Sequence, residues 1–438
     1  MAGPAAIGIG LASGAGNHYP AALSRPTERS AKSLQWRLEC LGHSLIEGLA
    51  ALLPRRLVFH LGARLGGLAW HFMPQRRRIV MRNLRILFAG EKNLAEIRRL
   101  ARQTFRRSGA NLLSAARTAR LAPHQLGEVI HIENLGLLED AIAKGKGVVL
   151  LLAHMGNWEI LSRIIHLFPP GSKCGAFYRP LNNPLLDARV LARRQADGTR
   201  MFSKRDPFHQ VTGFLRDGGI VGILADQRVG MQGEVVSFFG RLTRASPLPS
   251  LLVRRAKSEV LALSLRAVEP GKWQAVFMPV EKPHTTPHCM VALENAMKAG
   301  PADVFWLQER WKVYAGIHVS FHQWLDGATA PGRKPHRAIL WHIGAPPDWR
   351  LPEDWRHPDL SYEVAIAPEF DTADWLGDEM RLFVPVIARD PSVGELRRHL
   401  RAREFNQALP VDFILAPAPT AALIEAAKRE AIPLIHLP

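Results

Sequence analysis

Four polar side chains sit where their types and spacing could do chemistry. His154 directly follows the apolar run V-V-L-L-L-A at 148–153, and Glu159 stands five positions further on. Gly156 permits a tight turn, and Asn157 is of a type that caps helices, so the spacing predicts a carboxylate folded back beside the imidazole. A carboxylate on one ring nitrogen fixes the tautomer and stabilises the imidazolium, which leaves the other nitrogen free to take a proton. No Ser or Cys stands in a nucleophile-elbow pattern nearby. The base would therefore serve a substrate hydroxyl, not an enzyme nucleophile. Arg179, in F-Y-R-P-L-N-N-P, precedes a proline and is biased to an extended or turn conformation. There it could clamp a phosphate or carboxylate bidentately. Asp226, in L-A-D-Q-R, ends the second apolar run I-V-G-I-L-A at 220–225. Asn157, Asn183, Asp226, Arg228 and Arg310 are the further candidates, for substrate binding. A second reading stays open for the residues alone, in which His154 merely packs at a strand end and Glu159 complements a helix dipole. No H-E-x-x-H occurs and no metal site is expected.

These residues need a frame. Strand-length apolar runs at 148–153, 220–225, 260–265 and 274–280 alternate with helical patterns at 134–144, 157–168, 184–195 and 208–217. Such alternation predicts an α/β domain with a largely parallel sheet flanked by helices. Ligands of open parallel sheets bind at the carboxyl ends of strands, where His154 and Asp226 would both lie. F-F-G at 238–240 and P-L-P-S-L-L-V-R-R-A at 247–256 suggest a lid or pocket wall, or core packing. F-W-L-Q-E-R-W-K at 305–312 suggests a helix end.

Before this domain, leucines recur at helical spacing from Leu34 to Leu52, and again from Leu57 to Phe72. Charges interrupt both stretches, so neither reaches the ~18 apolar residues of a spanning helix. They are read either as core helices or as helices lying on a membrane with Trp36 and Trp70 at head-group depth. Thirteen Lys/Arg face two Glu between Arg76 and Arg120, and the 438-residue chain carries a formal charge of +18. A surplus that lopsided implies an anionic partner. No zinc-finger, RNA-recognition or basic-zipper pattern accompanies it, so an acidic membrane surface is expected and nucleic acid is not. Three scattered cysteines exclude a disulfide framework. Residues 1–33 are read as a disordered leader, 34–325 as the membrane-associated main domain and 326–336 as a linker. Residues 337–438 form a small α/β unit of unassigned role, without a nucleotide-binding glycine motif.

The motifs A-H-M-G-N-W-E, Y-R-P-L-N-N-P-L-L-D, L-A-D-Q-R, F-F-G and W-L-Q-E-R-W-K occur in one order. In that order the chain resembles the late lipid A biosynthesis acyltransferases, the lauroyl/myristoyl transferase family, over roughly residues 34–320. The resemblance implies a glycerolipid-acyltransferase-like fold at the cytoplasmic face of a bacterial inner membrane. It implies transfer of a fatty acyl chain to a hydroxyl of an anionic lipid A precursor. The donor would be acyl carrier protein or, less often, coenzyme A, with no bound cofactor. His154 and Glu159 match the family's His-x4-acid pair, and Arg179 matches the arginine of its Y-R-P motif. Gln308 stands where family members often carry His, and R-A-S-P-L-P-S follows F-F-G in place of small residues. Both departures bear on the acyl chain and the acceptor. The same motifs serve other acceptors, mannosylated phosphatidylinositol among them.

Overall fold

The computed structural model describes residues 26–203, 206–229, 232–311, 336–346, 348–356, 360–366, 380–383 and 391–437. Four helices come first: α1 (Pro26–Leu52), α2 (Arg55–Phe72), α3 (Pro74–Leu87) and α4 (Leu94–Thr118). Pro54 and Pro74 separate the first three, and Asn93 with Glu96 forms a capping box that starts α4. Residues 26–33 of the expected leader thus belong to α1, and its first 25 residues lie outside those described.

α2 and α4 pack backbone to backbone. A Cβ placed on Gly66 would lie 2.1 Å from the Phe105 carbonyl oxygen, and one on Gly109 would lie 2.3 Å from that of Gly62. Only glycine fits there. Trp70 turns inward, edge-on to Phe105 at 5.3 Å. It is 4% exposed, so it does not stand at head-group depth as expected. The leucine stripes do the opposite. Leu34, Leu38, Leu41, Leu45, Leu49 and Leu52 on α1, with Leu65, Leu68 and Phe72 on α2, are all more than half exposed. They are therefore not core. Among the described residues no helix is long and apolar enough to cross a membrane.

The main sheet is assembled from β1 (Ile130–Glu133), α5 (Gly136–Ala143), β2 (Val148–Leu152), β3 (Cys174–Phe177), α6 (Pro184–Gln195), β4 (Arg200–Phe202), α7 (Phe208–Arg216), β5 (Ile220–Leu224), β8 (Glu259–Glu269) and β9 (Lys272–Pro279). Its seven strands run in the order β1-β9-β8-β2-β5-β3-β4. Every pairing is parallel except β8 with β9. β2 lies at the centre, and all five of its residues are buried, as strands covered on both faces require. A hairpin of β6 (Glu234–Phe238) and β7 (Arg241–Ala245) stands apart from the sheet, followed by α8 (Leu248–Ala256) and α9 (Thr286–Lys298). F-F-G closes β6 with Phe238 and makes the hairpin turn with Phe239 and Gly240. Phe238 and Phe239 pack against Trp311 and Trp306, which makes this stretch core and not a lid. The stretch Phe305–Trp311 forms turns instead of the expected helix end, and Lys312 lies outside the described residues.

The smaller unit has β10 (His336–Trp341), β11 (Leu360–Ala365), β12 (Met380–Phe383), α10 (Val393–Asn406), β13 (Phe413–Ala416), α11 (Ala421–Glu430) and β14 (Leu434–His436). Its five strands are all parallel, in the order β12-β11-β10-β13-β14. Each face buries its own apolar cluster, one under α10 and α11 and the other under Leu351 and Trp355. The expected linker lies outside the described residues, apart from His336, which already belongs to β10. Arg82 and Arg85, counted in the basic stretch read as facing an acidic membrane surface, are instead buried against this unit.

Candidate active site

β2 and β5 are neighbouring parallel strands, and their register pairs Leu152 with Leu224. Each is followed by one alanine and then a polar residue, His154 on one strand and Asp226 on the other. Equal offsets in a parallel pair put the two side by side at the carboxyl edge of the sheet. His154 Nδ1 lies 2.6 Å from Asp226 Oδ1, and the His154 amide donates to Asp226 Oδ2 at 3.1 Å. The main chain on the other side of the histidine is also held. Phe305 N donates to the His154 carbonyl at 2.7 Å, and Gly156 N donates to the Asp303 carbonyl at 2.9 Å. Gly156 has φ +57°, and a Cβ there would come within 2.6 Å of the Leu265 carbonyl. The turn therefore requires glycine. Trp158 stands edge-on to the imidazole at 5.4 Å and meets Phe305 in turn, forming an apolar wall.

Asp226 is fully buried and has a second partner. Arg310 NH2 lies 2.6 Å from its Oδ2, and the same guanidinium donates to the Asp226 carbonyl. Burial opposes ionisation of this carboxyl. The adjacent Arg310 and His154 outweigh burial and hold it well below the usual carboxylate range. All three groups that meet the Asp226 carboxylate are donors, so it works as an acceptor throughout. The imidazole Nε2 points to the open side, where the exposed Gln227 amide lies 3.1 Å away.

This corrects the partner inferred from spacing. Glu159 does not meet His154. Its carboxylate receives Arg194 bidentately, from Nε at 3.1 Å and from NH2 at 2.6 Å. The segment after Asn157 is a 3₁₀ helix, Trp158–Leu167, and Glu159 faces α6. Asn157 is no cap either. It is buried, and its amide donates to Thr118 Oγ1 at 2.8 Å. Asn183 is likewise occupied: it caps α6 through Leu185 N and Leu186 N and donates to Trp36 O and Glu39 Oε2 on α1. Arg310, expected on substrate, is buried on Asp226. Arg179 is exposed just past the end of β3, the strand beyond β5, and so stands on the same sheet edge as His154. Arg228 is half-buried two residues beyond Asp226. Among the described residues no group of three or more His, Cys, Asp or Glu could hold a metal ion. The signal that could have found the His154–Asp226 pair is the repeated pattern of apolar strand, alanine and polar residue in L-L-A-H and I-L-A-D.

The sequence pattern of the bacterial lipid A biosynthesis acyltransferases matches residues 29–313. Similar proteins include the lipid A biosynthesis lauroyltransferase of Escherichia coli K12, 25% identical over 274 residues, covering 60% of this chain and 88% of that protein. The palmitoleoyltransferase of the same strain is 23% identical over 275 residues, with 59% and 86% covered. A shorter stretch of 133 residues is 26% identical to the phosphatidylinositol mannoside acyltransferase of Mycolicibacterium smegmatis, covering 29% of this chain and 43% of that protein. Residues 337–438 lie beyond the family match.

Proposed function

From the premise that the chain belongs to the bacterial lipid A biosynthesis acyltransferase family, and so is an acyltransferase, we propose that it moves a fatty acyl chain from acyl carrier protein to a hydroxyl of a lipid A precursor, with His154 as general base. The acceptor hydroxyl takes the place of the Gln227 amide at Nε2. The imidazole removes its proton as the oxygen attacks the thioester carbonyl, and the thiol of the carrier leaves with a proton returned from the imidazolium. Asp226 holds the proton on Nδ1 and stabilises the imidazolium, and Arg310 keeps Asp226 ionised and immobile. Arg179, exposed on the same edge, binds a phosphate of the acceptor or acidic groups of the carrier. Glu159 braces α6 through Arg194 and thereby the Y-R-P-L-N-N-P turn that leads into it.

The setting is the cytoplasmic face of the inner membrane. The exposed leucines of α1 and α2 supply an apolar face, and the exposed Arg98, Arg99, Arg102 and Arg106 of α4 supply charge for an acidic lipid surface, at ~1 kcal/mol per basic residue near it. The observation that carries the catalytic reading is the His154–Asp226–Arg310 chain at a sheet edge where ligands bind. Its test is the purified protein with acyl carrier proteins of several chain lengths and a tetraacylated precursor, reading product mass. A mass increase of one acyl chain that disappears in a folded His154→Ala variant is expected. Normal turnover by that variant would sink the mechanism. The short match to a phosphatidylinositol mannoside acyltransferase favours a second acceptor class, a mannosylated phospholipid, to be run as a parallel substrate. Coenzyme A thioesters serve as the alternative donor in the same assay.

A further inference from the structure

The turn that carries Arg310 is held by two elements. On one side Asn83 of α3, 1% exposed, donates to the Trp306 and Gln308 carbonyls at 2.9 and 2.8 Å. On the other, the Thr243 hydroxyl of β7 donates to the Arg310 carbonyl at 3.2 Å. Both elements are themselves gripped by the C-terminal unit. Arg82, next to Asn83 in the chain, donates to the Glu430 carbonyl at the end of α11. Arg85 donates to the Glu404 and Gln407 carbonyls at 2.8 and 2.6 Å. Arg241 lies two residues before Thr243, on the same face of β7. It is 2% exposed, with Nε 3.2 Å from Asp412 Oδ1 and NH2 on the Val411 carbonyl. Asp412 is fixed from behind by His336 Nδ1 at 2.7 Å.

We propose that the C-terminal α/β unit is a positioning clamp for the catalytic centre: by gripping Arg241 on β7 and Arg82 and Arg85 on α3, it fixes the Arg310 turn and, through Arg310, the Asp226 carboxylate that orients His154. The proposal rests on the reading of His154 and Asp226 given above. Fully buried ion pairs cost desolvation and contribute little net stability, but a partner left behind is costly, so they hold a single geometry firmly. Arg241, Asp412, Thr243 and Asn83 are positioning residues. None touches the reacting atoms.

The test uses the full chain with three variants, Asp412→Asn, Thr243→Val and the double variant. Initial rates are measured with acyl carrier protein thioester and lipid A precursor as a function of pH. Each single change is expected to lower kcat about fivefold, the worth of one hydrogen bond expressed fully in the transition state, with KM for both substrates unchanged. The acid limb of the kcat profile moves to higher pH, because an Asp226 less neutralised by Arg310 favours the imidazolium. The double variant falls well short of the product of the two losses, since both cut one linkage. Wild-type kcat and pH profile in folded Thr243→Val, or multiplying losses with an unshifted profile, would overturn the clamp. Should Asp412→Asn fail to fold, Thr243→Val alone decides, because it removes one hydroxyl and keeps the side-chain shape. Failure of the parent reading is separate: it shows as full turnover in Asp226→Asn.

Discussion

The replacement Asp226→Asn isolates the group that the structure places behind His154. The carboxylate accepts from three donors: the His154 ring at 2.6 Å, the His154 amide at 3.1 Å and the Arg310 guanidinium at 2.6 Å. A carboxamide has one accepting oxygen and one donating nitrogen, so at least one donor must face another donor. If the amide nitrogen meets Nδ1, the imidazole turns to the tautomer with its proton on Nε2, which cannot then remove a hydroxyl proton. The corresponding carboxylate-to-carboxamide change in a serine-protease triad lowers kcat about 10⁴-fold. That factor corresponds to ~5 kcal/mol of lost transition-state stabilisation at ~1.4 kcal/mol per tenfold. Arg310 also loses its charge partner, and leaving a buried charge unpaired costs ~3–5 kcal/mol of stability. The assay therefore couples initial rates at saturating donor and acceptor with thermal unfolding of the same preparation. A fall in kcat of about 10³ or more, in protein that is still folded at the assay temperature, is expected. Glu159→Gln should cost much less, because its partner is Arg194 on α6. A folded Asp226→Asn enzyme within tenfold of wild type would refute the orientation argument. Glu159→Gln losing more than Asp226→Asn would return the role to Glu159.

Acid should loosen the molecule. Burial raises the carboxyls of Asp226, Asp412 and Glu430, but their Arg and His partners outweigh it and hold all three below the ordinary range. A depressed carboxyl contributes stability that is fully present above its unfolded pKa of ~4 and is lost as pH falls through its folded value. Tm should hence be level from neutral pH to about 5 and drop on further acidification, less steeply in Asp412→Asn; a Tm indifferent to acid would contradict the paired assignments. On α1, Leu41 and Leu45 are 65% and 60% exposed. Leu41→Glu with Leu45→Glu should leave Tm unchanged and reduce co-flotation with anionic liposomes, and equal flotation would remove the membrane assignment of this face. Gly66→Ala gains ~1 kcal/mol of helix propensity. It also drives a methyl group into the Phe105 carbonyl, and overpacking costs ~1–3 kcal/mol when nothing can yield. Backbone is what it meets, so a lowered Tm is expected; a raised Tm would show that α2 and α4 can part freely.

Much of this molecule was legible before folding. Helix α6 falls at the boundaries the apolar spacing predicts, α7 comes within a residue of them, and the buried strands β2 and β5 end within a residue of their predicted ends. Periodicity and strand-length apolar runs are local signals, so such elements can be read from the chain. The short strands β1, β3 and β4, at three or four residues, carry too little pattern to be seen. The leucine stripes of α1 and α2 told helix, but not what covers it. Whether a leucine faces a core or stays open depends on the partner, and here Gly62, Gly66 and Gly109 turn the other side of α2 onto α4. At the site, the sequence alone determined that His154 and Asp226 each end a buried strand. Only the tertiary structure decided that they are partners, because 72 residues separate them and strand register, not spacing, brings them to 2.6 Å. The near neighbour Glu159 lost that place because its 3₁₀ turn aims it at Arg194. The grip of Arg82, Arg85 and Arg241 on the C-terminal unit is likewise written nowhere in the local chain. Arginines in a basic run look solvated until a distant carbonyl or carboxylate closes over them.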